Sequence, residues 1–405
     1  MTEKVDATQI VEDILTGKNV GTFSHSYITF PLFCKTLEMM KYSIRTNACN
    51  DDIEVNGRVL TDLLEGTIKS RLVDFARDNG LKLPKDDIRD HMLRLAAKQS
   101  YHPIREYLES LEWDGQDHII NLAGYFTDKE QLFARWLQAW LVGAVARIYE
   151  QWQNPMLVLD GPQDLGKSHF AEWLCSPLPL MFKESSILPE YKAHRIARVE
   201  NWVWEVQELG ATTRKADQES LKAFLSDKMT KDLKPYGVHP IHKTNAASYI
   251  GTINNEAGFL TDRTGNRRYL VCALTGIDWG YAQKIDIDQV WGQAYHWYTT
   301  GNDWKLTDDE KAYRDMTNEE YLVDDPIEII LSEEMKYTGD DKDRVSSNDI
   351  QTMLVSRAIR PTRSAARSVK GILVSWGCEH KNMRINGKQS KGYNKVKMSG
   401  LGMLP

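Results

Sequence analysis

One stretch restricts this chain more than any other: an apolar run that empties into Gly-x-x-x-x-Gly-Lys-Ser and continues as helical text. Met156-Leu157-Val158-Leu159-Asp160 reads as a buried strand, Gly161 to Ser168 as a loop, and His169-Phe170-Ala171-Glu172-Trp173-Leu174 as a helix. A phosphate-binding loop requires that strand–loop–helix context. Gly161 and Gly166 allow the tight turn that points successive N–H groups at phosphate oxygens, and the new helix adds its partial positive end. The candidate nucleotide set is therefore Gly161, Pro162, Gln163, Asp164, Leu165, Gly166, Lys167, Ser168 and His169. Within it, Lys167 is expected at the β- and γ-phosphates of ATP and the Ser168 hydroxyl on Mg²⁺.

Such a loop needs a carboxylate at the end of another buried strand. Asn201-Trp202-Val203-Trp204-Glu205-Val206-Gln207-Glu208-Leu209 supplies Glu205 and Glu208. Residues three apart on a strand face opposite ways, so both can serve one site only if the strand ends or bends near Val206. Ser248 to Asn255 reads as a third strand, with Asn254 at its tip as a candidate for holding the lytic water. Thr264-Gly265-Asn266-Arg267-Arg268-Tyr269 then sets paired arginines before another apolar strand. A planar, always-charged guanidinium stabilises charge on a transferring phosphoryl group, often from a neighbouring subunit.

Between these elements, a helix is expected from Asp217 to Lys228, with Asp217 as its cap. After it, Met229 to Lys243 interleaves lysines, histidines and an aromatic over a hairpin-like stretch. Lys231, Lys234, Tyr236, His239, His242 and Lys243 suit a loop that tracks a single nucleic-acid strand.

The 405 residues suffice for two or three domains. A hydrophobic content of 41% and a charged content of 27% are those of a soluble globular protein. There is no bilayer-length apolar run and no signal-like N-terminus, which predicts a cytoplasmic protein without membrane contact. Five scattered cysteines without a Cys-x-x-Cys pair argue against a zinc site or a disulfide framework. Residues 341–405 carry thirteen Lys and Arg against four acids, a net +9, while the whole chain has −6. A basic module on an acidic body suggests a nucleic-acid-facing end.

That end reads as a winged helix. Ser346 or Ser347 caps one helix, and a second runs from Thr362 to a stop at Gly377. Arg360, Arg363, Arg367 and Lys370 recur at spacings of three, four and three as a basic stripe. Asn386-Gly387 predicts a hairpin turn flanked by Lys388 and Lys391. The expected organisation is a helical helper region over 1–120, a P-loop ATPase over 121–302, an acidic connector over 303–341 and a winged-helix DNA-binding domain over 342–405.

Taken in order, Gly-Pro-Gln-Asp-Leu-Gly-Lys-Ser, Trp-Glu-Val-Gln-Glu-Leu, Leu-Lys-Ala-Phe-Leu-Ser, Pro-Tyr-Gly, Gly-Thr-Ile-Asn and Thr-Gly-Asn-Arg-Arg-Tyr resemble the virulence-associated protein E family. The segment from His102 to Gly115 resembles the part of that family before the ATPase core. These proteins are phage- and island-encoded ATPases similar to superfamily three helicases. The resemblance implies an α/β, AAA+-like core, a hexameric ring, and ATP- and Mg²⁺-dependent movement on single-stranded or forked DNA. It gives Glu205 with Glu208 the Walker B role, Asn254 the sensor role, Arg267 or Arg268 the finger role, and the Lys231–Lys243 hairpin a place in a pore. Superfamily three helicases usually set two acids side by side, whereas Val206 follows Glu205 here. Residues 1–100 carry no acidic metal triad, so a separate primase is expected. The alternative function is a DNA-binding replication initiator or regulator that uses ATP as an assembly switch.

Overall fold

A computed structural model describes residues 27–207, 209, 215–234, 239–254, 258–260, 266–302, 304–323 and 326–399. The chain divides into two compact units. The first comprises residues 1–209, 219–255 and 267–314, and the second comprises residues 210–218, 256–266 and 315–405.

The first unit opens with a small mixed module, where the sequence suggested helices alone. Four short strands, β1 (Ile44–Asn47), β2 (Ile53–Val55), β3 (Arg58–Val59) and β4 (Ser100–Tyr101), pair in the order β3-β2-β1-β4. Helices Phe30–Met39, Asp62–Asp78 and Lys85–Lys98 accompany them. Leu32, Phe33, Ile44, Val55, Ile68, Leu72 and Ile88 form the shared core. The strands are short, so period-two alternation is hard to detect. Their clearest sequence signal is Asn56-Gly57, both left-handed at φ 52° and 75°, turning β2 into β3.

The main body of this unit is a six-stranded sheet, β5 (Phe126–Asp128), β6 (Met156–Asp160), β7 (Phe182–Glu184), β8 (Val203–Val206), β11 (Ser248–Ile253) and β12 (Tyr269–Ile277), in the order β5-β12-β6-β11-β8-β7. Neighbours from β12 to β7 are parallel, and only β5 runs the other way. Central strands of a parallel sheet are covered on both faces, which explains why β6 is buried at all five positions. Helix Phe133–Glu150 carries Trp136, Leu137, Trp140 and Leu141 into the core. Trp140 Nε1 donates to the Tyr249 carbonyl at 2.9 Å, joining this helix to β11. Trp291 Nε1 donates to the Leu174 carbonyl at 2.9 Å, which satisfies the end of helix Lys167–Leu174. Beside the sheet, β9 (Met229–Leu233) and β10 (Pro240–Thr244) form a separate antiparallel hairpin.

The helix before that hairpin spans Lys215–Ser226, so Asp217 lies inside it instead of capping it. Phe224 and Leu225 are buried, as the helical spacing required. The acidic stretch from 303 holds helices Asp308–Glu319 and Pro326–Glu334.

The second unit is built around Leu331, Val345, Ile350, Leu354, Leu373 and Val396. It holds strands β13 (Met335–Tyr337), β14 (Arg344–Ser346), β15 (His380–Ile385), β16 (Lys388–Asn394) and β17 (Val396–Met398), with helices Ser347–Ser356 and Arg363–Ser375. Ser346 caps the first helix by accepting from Asp349 N at 3.0 Å, and Thr362 caps the second by accepting from Ala365 N at 3.1 Å. Gly377, at φ 90°, follows the second helix, and Asn386-Gly387 turns β15 into β16.

Candidate functional site

In a parallel sheet all the strands point one way, so the loops at their carboxyl ends gather along one edge, where ligands of such folds bind. Here the glycine loop leaves β6, Asn254 follows β11 and Gln207 follows β8. Together with Thr252 and Trp279 they line one cleft of about 480 Å³.

The loop needs its glycines for space as much as for turning. A Cβ on Gly161 would come within 2.7 Å of the Leu274 carbonyl, and one on Gly166 within 2.7 Å of the Trp279 ring. Gly166 is left-handed at φ 103° and starts helix Lys167–Leu174. Lys167 is 5% exposed. Its Nζ donates to the carbonyls of Gly161 and Pro162, both at 2.7 Å, and to Asn254 Oδ1 at 3.1 Å. Burial holds its pKa below the usual lysine value, against the opposing pull of Asp160, Asp164 and Glu205.

Glu205 is fully buried. Its Oε1 accepts from Ser168 Oγ at 2.5 Å and from Thr252 Oγ1 at 3.1 Å. Its Oε2 is buried with no hydrogen-bond partner among the described residues. Desolvation raises its pKa above the ordinary carboxylate value, only partly opposed by the Ser168 and Thr252 hydroxyls. A hydroxyl and a half-satisfied carboxylate are oxygen donors of the kind hard divalent cations take. β8 ends at Val206, and Gln207 is in a turn. Glu208 itself lies outside the described residues, as does Tyr236 of the hairpin.

The arginine pair is elsewhere. Arg267 and Arg268 precede β12 at the amino ends of the parallel strands, since Tyr269 pairs with Met156 and Ala273 with Asp160. Four residue steps of β6, about 13 Å, separate that edge from the glycine loop. Arg267 is exposed, while Arg268 Nε donates to Ser226 Oγ at 2.8 Å.

In the β9–β10 hairpin Lys231 pairs across from His242, and both are exposed, as is His239. Lys243 and Lys234 are engaged with the turn between β1 and β2. Lys243 Nζ donates to the Ala48 carbonyl at 2.6 Å and to the Asp51 carboxylate, and Lys234 Nζ to the Asn50 carbonyl. Lys234 also lies 3.5 Å from Asp51 and from Glu200. In the second unit Arg360, Arg363, Arg367, Lys370, Lys388 and Lys391 are all exposed.

Three residues that line the cleft, Gln207, Thr252 and Trp279, were not among the candidate site residues, although the first two lie in the Trp-Glu-Val-Gln-Glu-Leu and Gly-Thr-Ile-Asn strings. Thr252 lies inside an ordinary strand. Trp279 lies in a turn after β12 whose only mark is the string Asp278-Trp279-Gly280, and Tyr281 begins the short helix Tyr281–Lys284. Tyr281 hydroxyl and His169 Nδ1 hydrogen-bond at 2.8 Å.

The virulence-associated protein E-like domain model matches residues 108–323, more than half of the chain. The chain belongs to that family. No curated protein matches it in sequence. Among solved structures it is similar to the apo structure of the NrS-1 C terminal region (305-718), with a TM-score of 0.51 and 13% identity over 90% of this chain and 98% of that one. A second form of the same region gives a TM-score of 0.51 at 11% identity, with the same coverage. At such identity the likeness is one of fold. The virulence-associated protein E-like segment includes the whole glycine loop, β8, the hairpin and the arginine pair. No helix among the described residues is long and apolar enough to cross a membrane.

Proposed function

We propose that the chain is an ATP-dependent DNA helicase serving the replication of a mobile genetic element, with an AAA+-like P-loop core and a C-terminal winged helix, working as a hexameric ring. The observation that carries this reading is the meeting of Lys167, Ser168, Glu205 and Asn254 at the carboxyl ends of three adjacent parallel strands.

In this reading the amides of residues 161–168 cradle phosphate oxygens, and Lys167 exchanges its two carbonyl partners for the β- and γ-phosphates. Asn254 then stands at the γ-phosphate with its amide free to orient a water. Ser168 and the orphaned oxygen of Glu205 are the residues that would hold Mg²⁺, which when bound supplies neutralisation of the developing phosphate charge. Glu208 is assigned the base by its position beyond the end of β8. Arg267, exposed and remote from its own chain's loop, is the better finger of the pair and would serve a neighbour's nucleotide. The winged-helix stripe of Arg360, Arg363, Arg367 and Lys370 engages duplex phosphates, with Lys388 and Lys391 on the wing. The Lys231 hairpin tracks the single strand.

The contacts of Lys234 and Lys243 with the Ala48–Asp51 turn support a second reading, a DNA-binding initiator in which ATP switches assembly without unwinding. One assay separates the two. Forked DNA with a labelled strand should be displaced in the presence of ATP and Mg²⁺, with DNA-stimulated phosphate release, and Lys167→Ala should abolish both. DNA-dependent assembly and turnover with no strand displacement on 5′- or 3′-tailed forks would sink the helicase reading in favour of the switch.

A further inference from the structure

Trp279 is half exposed on the rim of the cleft, an unusual place for the largest apolar side chain. It is nevertheless held on two sides. Its Nε1 donates to the Leu165 carbonyl at 3.2 Å, which pins the nitrogen edge of the indole against the glycine loop. Gly166 has no side chain, and this lets the ring approach. The His169 ring stacks on it, with centroids 5.1 Å apart and planes 25° from parallel. His169 is fixed in turn by its hydrogen bond to Tyr281, which is buried with its ring against those of Phe170 and Trp173. An exposed tryptophan with no ligand to meet gains nothing from so much support. Behind Ser168 and Thr252, which line the same cleft, the fully buried Glu205 has an oxygen without a hydrogen-bond partner among the described residues, a second and independent sign that a ligand belongs there.

We propose that Trp279 is the base platform of this cleft: the purine of the bound nucleotide stacks on its open surface, and the site selects purine over pyrimidine nucleotides. The proposal deepens the nucleotide reading above and rests on it. The phosphate-facing groups, Lys167 and Ser168, and the indole line one cleft, and the cleft's volume of about 480 Å³ is within the range of small-molecule sites. Phosphates bound by the loop amides therefore leave the base to reach the rim. An indole and a purine are both fused bicycles, so their overlap exceeds that with a single-ring pyrimidine, and stacking strength follows the overlap. The pinned indole has little rotamer freedom left to lose on binding, which favours affinity.

The test is isothermal calorimetry on the full chain with Mg²⁺ and three probes: ATP, CTP and inorganic tripolyphosphate. Wild-type protein should prefer ATP to CTP. Trp279→Ala should weaken ATP about 10-fold, leave tripolyphosphate unchanged and erase the preference over CTP, while Trp279→Phe retains part of it. Equal weakening of all three probes would mean that Trp279 merely props the glycine loop, and unchanged ATP binding would mean that it faces something other than the base; either overturns the proposal. Wild-type protein that binds none of the probes overturns the nucleotide reading itself. Wild-type protein that binds ATP and CTP equally overturns only the platform.

Discussion

Glu205 has one carboxylate oxygen matched by two hydroxyls and the other by no partner among the described residues. Because its folded pKa lies above the ordinary value, the ionised form is the disfavoured one in the folded state. The cost is absent while both states are protonated, grows as pH rises past the unfolded carboxyl value, and is complete above the folded one. Glu205→Gln should therefore melt higher than wild type at pH 7 without added Mg²⁺, by roughly 2–4 °C for each ~1 kcal/mol relieved. The gap should close as the pH is lowered towards the carboxyl range. The same variant should lose Mg²⁺-dependent ATP turnover. A melting curve that is unchanged or lower at neutral pH would show that the carboxylate is not strained by burial. At Gly166, alanine must adopt φ 103° and drive its methyl into the Trp279 ring. Gly166→Ala should lower the melting temperature and nucleotide affinity together, with about 1–3 kcal/mol lost to backbone strain alone. Calorimetry reads both.

At the scale of elements, the β9–β10 hairpin has the composition of a nucleic-acid finger, yet two of its lysines are spent on another part of the first unit. Asp51 lies against both Lys234 and Lys243. Asp51→Ala should remove the carboxylate shared by both ammonium groups, leaving their backbone carbonyl contacts, tighten single-stranded DNA binding and steepen its salt dependence by up to about two counterions. Fluorescence anisotropy over a salt series measures both. An unchanged slope would show that these lysines serve only to hold the hairpin in place. The exposed stripe on helix Arg363–Ser375 predicts a different pattern: Arg363→Ala with Arg367→Ala should weaken duplex binding while leaving DNA-independent ATP turnover intact. The hairpin's composition was plain in the sequence, but not its partner. Lys243 and Ala48 are 195 residues apart, and β1 and β2 leave little trace in the sequence because strands of three or four residues hardly express a period.

For the whole molecule, the arginine pair and the glycine loop occupy opposite ends of the same parallel strands. A single chain with that layout cannot bring Arg267 to its own glycine loop without crossing the sheet. In the proposed reading, activity through Arg267 therefore requires assembly. Arg267→Ala and Lys167→Ala proteins, each inactive alone, should recover part of the ATPase rate when mixed, because a wild-type Arg267 on one subunit then faces a wild-type loop on its neighbour. Steady-state turnover over a range of mixing ratios, with the assembled mass measured in parallel, decides this; zero rate at every ratio in an intact oligomer would remove the finger.

Features encoded within a few residues were settled by sequence alone. The two glycines that turn β6 into helix Lys167–Leu174, a serine cap at 346 or 347, the helix start at Thr362, the Asn386-Gly387 turn and the basic stripe each depend on neighbours in the chain, where side-chain chemistry and backbone freedom act directly. Which side chains meet across the cleft was decided only in three dimensions. Ser168 reaches Glu205 because β11 lies between β6 and β8, Trp279 reaches Leu165 across 114 residues, and the arginines stand at the far edge because β12 is parallel to β6. Strand order and direction are cooperative properties of the packed sheet, set by burying both of its faces at once, and no local pattern of residues specifies them.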